Sequence, residues 1–345
     1  RVLFRSLYAP KKRENKRMNL LTGQYRQLTL AYPATSFWKK LSSLWRVWGI
    51  TSQLEKEGIE LFHGLSNELP LNIHKSRIKS IVTIHDLIFL RYPQYYQSID
   101  RKIYTYKFRK ACENADKIIA ISECTKRDII RYFNIPDDKI EVVYQGCDVS
   151  FTHPVTEEKK EEVRKKYQLP DHYILNVGSI EERKNILAAV QALPMLPQHI
   201  HIVIVGRRTG YTEKVEQFIK DNGLGERVHI ISNVPFNDLP AFYQSAEIFV
   251  YPSRFEGFGI PIIEALYSGI PVVAATGSCL EEAGGPDSIY VNPDDITGLA
   301  DAFKQIYSNS DKRKNMVEKG REFAKRFSEK QQSEEIINIY KKLIR

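Results

Sequence analysis

The chain has 345 residues, long for one hydrophobic core and suited to two packed α/β units of roughly 150 residues each. Hydrophobic residues make up 42% and charged residues 27%, which excludes a disordered, collagen-like or coiled-coil chain, and no uninterrupted apolar run approaches the ~20 residues that span a bilayer. The formal charge of +9 is all amino-terminal: residues 1–80 hold 15 Lys/Arg against 5 Asp/Glu, and the remainder 36 against 37. That asymmetry predicts either an anionic partner for the first half (nucleic acid, an acidic membrane surface or a phosphorylated acceptor) or a solvated basic face.

The first residues show no initiator Met, apolar core or cleavage site of a secretory signal, so no export is expected. The four cysteines, Cys112, Cys124, Cys147 and Cys279, match neither a metal clip nor a disulfide framework, which fits a reducing cytoplasm. No strand followed by a glycine-rich loop is predicted within residues 1–60. All three tryptophans lie in one helical segment, where Trp38, Leu41, Trp45 and Trp48 are spaced 3, 4 and 3 and share a face flanked by Lys39, Lys40 and Arg46. The stripe is expected to pack into the first core, although a helix at a membrane interface has the same composition.

Next, LFHGLSNELP sets His63, Ser66 and Asn67 at a strand end. A strand at 81–84 delivers His85 and Asp86 to its carboxyl end, one at 118–121 leads into Ser122 as a helix N-cap, and one at 142–144 closes the first half. The polar, Pro-containing stretch 146–157 marks the boundary between a first domain, 1–150, and a second, 151–327. Strands at 173–177, 201–205, 228–231, 248–251 and 271–274 follow, alternating with helical patterns, which predicts parallel sheets buried on both faces. Residues 328–345 read as an amphipathic helix, with Ile336, Ile337, Ile339, Tyr340 and Leu343 as its apolar contribution, expected to dock back on the first domain.

Three strand ends in the second half carry chemistry. After 173–177 comes VGSIEERKN, a glycine turn at Gly178 followed by Arg183 and Lys184, a suitable diphosphate clamp because a guanidinium binds phosphate as a fork and an ammonium adds a compact charge. Gly206 and Arg207 end the next strand. After 248–251 comes RFEGFGIPIIEALYSG: Gly257 and Gly259 lead into a helix with Pro261 at its start and Gly269 at its end, and its exposed amides can approach a phosphate or sugar. Glu256 and Glu264 bracket this loop with seven residues between them, so both can face one ligand.

The arrangement EGFGIPIIE resembles the signature of the family-4 retaining glycosyltransferases of GT-B architecture, two Rossmann-like domains whose parallel sheets face each other across a cleft. RKN at 183–185 and the His85–Asp86 pair fit the same family in the expected order, over roughly residues 60–345. The resemblance implies that Glu264 binds the ribose of a nucleotide sugar, that Glu256 and the amides of Gly257, Phe258 and Gly259 address the donor sugar and diphosphate, and that His85 contacts sugar or acceptor. It also implies that Gly178, Arg183, Lys184 and Arg207 shape the donor pocket, with His63, Ser66, Asn67 and Asp86 on the acceptor side. Many relatives carry Arg directly after the glycine where this chain has Ser179, so the clamp rests on Arg183 and Lys184. Relatives also begin with a strand and glycine-rich loop, and the acceptor domain here is expected to lack that first β-α unit.

The sequence has no GxGxxG, P-loop, HExxH or CxxH set, and no cofactor or metal is expected. The expectation is a metal-independent hexosyltransferase that moves a hexose from GDP-mannose or a UDP-hexose to a saccharide or lipid-diphosphate-linked acceptor. The RKN form resembles mannosyl- and related hexosyltransferases. The setting expected is cytoplasmic, peripheral at the inner face of a membrane, without nucleic acid as a partner. Two other readings stay open: a nucleotide-sugar epimerase of the same architecture and a basic nucleic-acid-binding protein, although the first half offers no base-stacking platform.

Overall fold

A computed structural model describes residues 5–12, 23–25 and 27–344. The first domain contains a parallel pair, β1 (Arg5–Tyr8) and β2 (Leu28–Ala31), and a four-stranded parallel sheet of β3 (Leu61–Gly64), β4 (Lys79–Ile84), β5 (Lys117–Ala120) and β6 (Ile140–Val142) in that order. The second has six parallel strands, β7 (Tyr173–Val177), β8 (His201–Val205), β9 (Val228–Ile231), β10 (Ile248–Tyr251), β11 (Val272–Ala275) and β12 (Ile289–Val291), ordered 12-11-10-7-8-9.

That order explains where a ligand can sit. The chain enters the second sheet at its centre, runs outward through β8 and β9, then returns to the other side of β7 with β10. The connections after β7 and β10 leave in opposite directions and open a crevice at the strands' carboxyl ends. Successive residues of each strand alternate between two cores. Tyr173, Leu175, Phe249 and Tyr251 pack on one face, and Ile174, Ile248 and Val250 on the other, so the strands read as continuous apolar runs.

The first sheet needs help from the far end of the chain. One face, with Val82, Ile84, Ile118 and Ala120, is covered by helices of its own domain. On the other, Ile81, Ile119 and Val143 pack against Ile339, with Ile336, Tyr340 and Leu343 beside it, all from the terminal helix Glu329–Ile344. The crossover before the second domain is likewise tied down: the 3-10 turn Val149–Thr152 buries Phe151 completely against Tyr243, ring centroids 5.3 Å apart.

Two expectations are corrected. Strands β1 and β2 exist within residues 1–60, paired in parallel from Arg5 opposite Leu28 to Tyr8 opposite Ala31. They escape sequence reading because each has four residues and lacks the Ile/Val run that marks the others. The tryptophan stripe does not share one face. A π-helical turn at Trp45–Gly49 follows a break at Leu41, so Trp38 and Trp45 turn inward while Leu41 and Trp48 are exposed. Trp38 lies where a side chain at Gly49 would stand, with the Trp38 ring 2.6 Å from an added Cβ. Smaller shifts are at β6, which ends at Val142, and β12, whose three half-buried residues gave no apolar run.

Candidate active site

The loops after β7 and β10 meet in the crevice. After β7 a 3-10 turn, Glu182–Lys184, ends at Asn185 in the left-handed conformation (φ 55°). The buried Asn185 amide donates to the carbonyls of Pro252 (3.3 Å) and Pro293 (2.8 Å), tying this turn to the β10 loop. Arg183 is thereby aimed at Glu256, Nη1 to Oε2 2.7 Å, and Lys184 lies 3.6 Å from the other carboxylate oxygen. Lys184 also donates to the Tyr251 hydroxyl (3.0 Å), which donates to Glu256 (3.2 Å). All three charged side chains are largely buried. Glu181 also lies 3.7 Å from Arg183, so two carboxylates answer the two cations, and an anion entering this poorly solvated place would compete with them for the guanidinium and the ammonium.

The helix Ile260–Ser268 begins at this spot with Gly259 as its N-cap. Among the described residues, none accepts a hydrogen bond from the amides of Gly257, Phe258 or Gly259. Free N–H groups at a helix N-terminus beside two cations form an anion cradle. The buried Cys279 thiol props the loop from behind, donating to the carbonyls of Glu256 (3.0 Å) and Phe258 (3.2 Å), while Phe258 itself is buried in stacking contact with Tyr144. Gly178 adopts φ 154°, and an added Cβ there would meet the Lys184 ammonium at 3.0 Å. Gly206 lies so close to the Gly178 carbonyl that no side chain fits at 206. Arg207 is exposed, with Glu181 3.6 Å away.

Glu264 departs from the expectation of two glutamates on one ligand. It accepts a 2.6 Å hydrogen bond from the buried Tyr243 hydroxyl and lies near Asp148. No hydrogen bond or ion pair joins it to the Glu256 cluster. A helical turn separates the two in rotation as well as rise, which spacing alone does not reveal. Burial pushes its carboxyl up to about 6.

The first domain closes over this cradle. The His85 amide donates to the Asn67 side chain (2.7 Å), and Asn67 itself is left-handed (φ 60°). The His85 ring donates from Nε2 to the Leu65 carbonyl (2.8 Å). Asp86 accepts from the Ile88 amide (3.1 Å) and is buried near Arg183 and Glu256, with its carboxyl raised by burial. Gly257 touches both: an added Cβ would stand 2.2 Å from the His85 carbonyl. Ser122 caps the helix Glu123–Phe133 by accepting from the Thr125 amide (3.0 Å), and the same hydroxyl donates to the Gly257 carbonyl (2.7 Å).

Two residues change standing. His63 does not face the cleft: Nδ1 bonds the Tyr340 hydroxyl (2.6 Å) and Nε2 bonds Thr83 (2.8 Å), so it joins the terminal helix to the first sheet. Burial, with His85 nearby, pushes it down to about 4. Ser66 is simply exposed. Sequence reading missed Glu282, whose carboxylate accepts from the amides of Glu123 (2.7 Å) and Cys124 (2.8 Å) across the domain boundary. The available signal was LEEAG, two acids at a helix start beyond the cleft motif. Among the described residues no group of three or more His, Cys, Asp or Glu could hold a metal ion, and no helix is long and apolar enough to cross a membrane.

Two family profiles match, "Glycosyltransferase Family 4" over residues 6–151 and "Glycosyl transferases group 1" over residues 157–323. The O-antigen chain mannosyltransferase B of Escherichia coli is 31% identical over 82% of this chain and 74% of its own length. The O-antigen chain mannosyltransferase RfbU of Salmonella typhimurium is 29% identical over 65% of this chain and 60% of its own. Among solved structures, a glycosyltransferase from Rickettsia africae superimposes with a TM-score of 0.77 at 22% identity, over 96% of this chain and 89% of that one. Anabaena HepE in complex with UDP gives 0.76 at 17%, over 96% and 90%. With two parallel-sheet domains closing on a cationic cradle, the chain belongs to the GT-B glycosyltransferases of family 4 and is a mannosyltransferase-like hexosyltransferase.

Proposed function

We propose that the protein transfers mannose from GDP-mannose to a hydroxyl of a saccharide or lipid-diphosphate-linked acceptor, with retention of anomeric configuration and without a metal. The observation that carries this reading is the cradle of Arg183, Lys184 and the free amides of residues 257–259, because a leaving nucleoside diphosphate needs concentrated positive charge. The mannosyltransferases among the relatives favour the mannose donor; the HepE complex with UDP keeps a UDP-hexose as the alternative.

In the reaction proposed, the bond between the anomeric carbon and the β-phosphate oxygen breaks, and its electron pair stays on that oxygen. The acceptor hydroxyl attacks from the same face and its proton passes to the departing diphosphate. Arg183, Lys184 and the loop amides take up the developing negative charge. Glu256 and His85 orient the sugar as positive charge grows on its ring. For Glu264 to bind the ribose, it exchanges the Tyr243 hydroxyl for a ribose hydroxyl. Closure by the Ser122–Gly257 and Glu282 contacts keeps water from the donor. An inner membrane face completes the proposed setting, because a lipid-linked acceptor would be presented there.

Thermal unfolding with GDP-mannose, UDP-glucose and the free nucleotides, each with and without EDTA, tests the donor. A ligand at ~100 times its Kd adds about 2.7 kcal/mol, a rise of roughly 5–10 °C in Tm. A shift from GDP-mannose that survives EDTA, followed by an α-linked product by NMR, is the expected result. A shift only with a divalent ion, or a β-linked product, would overturn the reading.

A further inference from the structure

The first domain carries two exposed apolar stripes that neither core uses. In the segment before β3, Phe37, Leu41, Leu44 and Trp48 are spaced 4, 3 and 4, and they are 61%, 39%, 44% and 47% exposed. In the helix Ser98–Asn114, Ile99, Ile103 and Tyr106 have the same 4 and 3 spacing and are 69%, 45% and 55% exposed. In the helix Ser98–Asn114 these intervals put the three side chains on one face; in the first segment, broken at Leu41 and π-helical from Trp45, spacing sets no common face, and the exposure of the four side chains itself shows the apolar surface turned to solvent.

The two rows are neighbours. Glu68 bonds Arg46 from the first segment (3.2 Å) and Lys107 from the second (3.1 Å), so one carboxylate holds the two helices side by side. On this face Glu113 is paired with Lys110 (2.6 Å), and Lys and Arg outnumber the acids. Lys39 and Lys40 flank the first row, and a depression of about 420 Å³ beside the second is lined by Arg101, Lys102 and Arg109 with Tyr106. Aromatic and aliphatic side chains interleaved with Lys and Arg suit the headgroup level of an anionic bilayer, where the rings enter the interface and the cations meet lipid phosphates. A soluble protein partner would more often meet a face depleted in lysine.

The face also borders the cleft. The loop that holds Glu68 begins at Leu65, 60% exposed, whose carbonyl receives the His85 ring hydrogen bond. We propose that these paired stripes are the surface by which the protein docks on an anionic lipid bilayer, with the His85 end of the cleft against the membrane. The docking surface stands on its own residues; its use for a lipid-linked acceptor rests on the reading above.

The test is sedimentation of the full chain with vesicles of phosphatidylglycerol and phosphatidylcholine, or of phosphatidylcholine alone, at low and raised salt. Binding to the anionic vesicles that salt releases is expected, with a blue shift of tryptophan emission that Trp48→Phe removes. Lys40→Gln and Lys102→Gln should each weaken binding roughly fivefold, and the double variant Leu44→Ser/Ile103→Ser should abolish it. All of these positions are exposed, so folding should survive, and an unchanged Tm rise with the donor confirms it. No binding to anionic vesicles, equal binding to both kinds, or retention by the double variant would overturn the proposal. So would a lipid-free dimer that the double variant dissolves, because the face would then belong to a second copy. Absence of vesicle binding by the unsubstituted chain, with its donor stabilisation intact, is failure of this proposal alone and leaves the donor reading standing.

Discussion

The two sides of the cleft are built by different means. The second domain supplies charge: Arg183, Lys184 and Glu256 come from the ends of β7 and β10, adjacent strands whose connections part there. The first domain supplies shape: His85, Asp86, Asn67 and Ser122 spend their hydrogen bonds fixing one another, the backbone or the opposite loop. Charge can be read from residue types in a motif, whereas shape exists only once the two domains have met.

The contrast predicts different failures on each side. Arg183→Ala should cost about 10²–10³ in kcat, because in the proposed reaction it removes a donor to the leaving diphosphate, and Arg183→Lys should restore little since a fork is replaced by a point charge. Steady-state kinetics with donor in excess would measure it. Gly257→Ala, with its Cβ forced onto the His85 carbonyl, should cut kcat/KM by about 10² while calorimetry finds nucleotide affinity nearly unchanged. Equal losses of affinity in both variants would erase the distinction between charge and shape.

Acid titration sharpens the comparison, because the two domains should respond with opposite signs. Glu264 is raised from 4.5 to about 6, so the folded state holds the extra proton between those values and stability falls as pH rises through them, by about 2 kcal/mol in total. His63 is lowered from 6.5 to about 4, so the unfolded state holds the extra proton and stability is lost as pH falls through that window. Denaturant midpoints measured from pH 4 to 7 should respond less to rising pH in Glu264→Gln and less to acid in His63→Phe. The same Glu264→Gln protein should bind nucleotide more weakly if the carboxylate reaches the ribose.

The smallest effect concerns the latch. Glu282→Ala removes two amide acceptors at a helix N-terminus, worth about 1–2 kcal/mol, and should shift the domains toward an open form. Small-angle scattering would show a larger radius of gyration, and KM for acceptor should rise with donor affinity kept. An unchanged scattering curve would mean that the apolar contacts of Ile88, Ile121 and Cys124 with the second core suffice for closure.

Much of the donor side was legible from local order. Strands such as 173–177 and 248–251 announce themselves because both faces are buried, and the glycine-to-helix turn after Tyr251 fixes where the amides point. The tertiary structure decided what depends on distant partners. It set Glu264 against Tyr243 rather than beside Glu256, and it spent His63 on a helix 277 residues further along the chain. It recruited Glu282 to a helix of the other domain, and it turned half of the tryptophan stripe outward through one π-helical turn. Sequence alone determined which residues could carry charge and which segments would be strands, because those follow from composition and short-range periodicity. Which groups remain free to meet a substrate depends on which others have already claimed their hydrogen bonds, and that is settled only when the chain is packed.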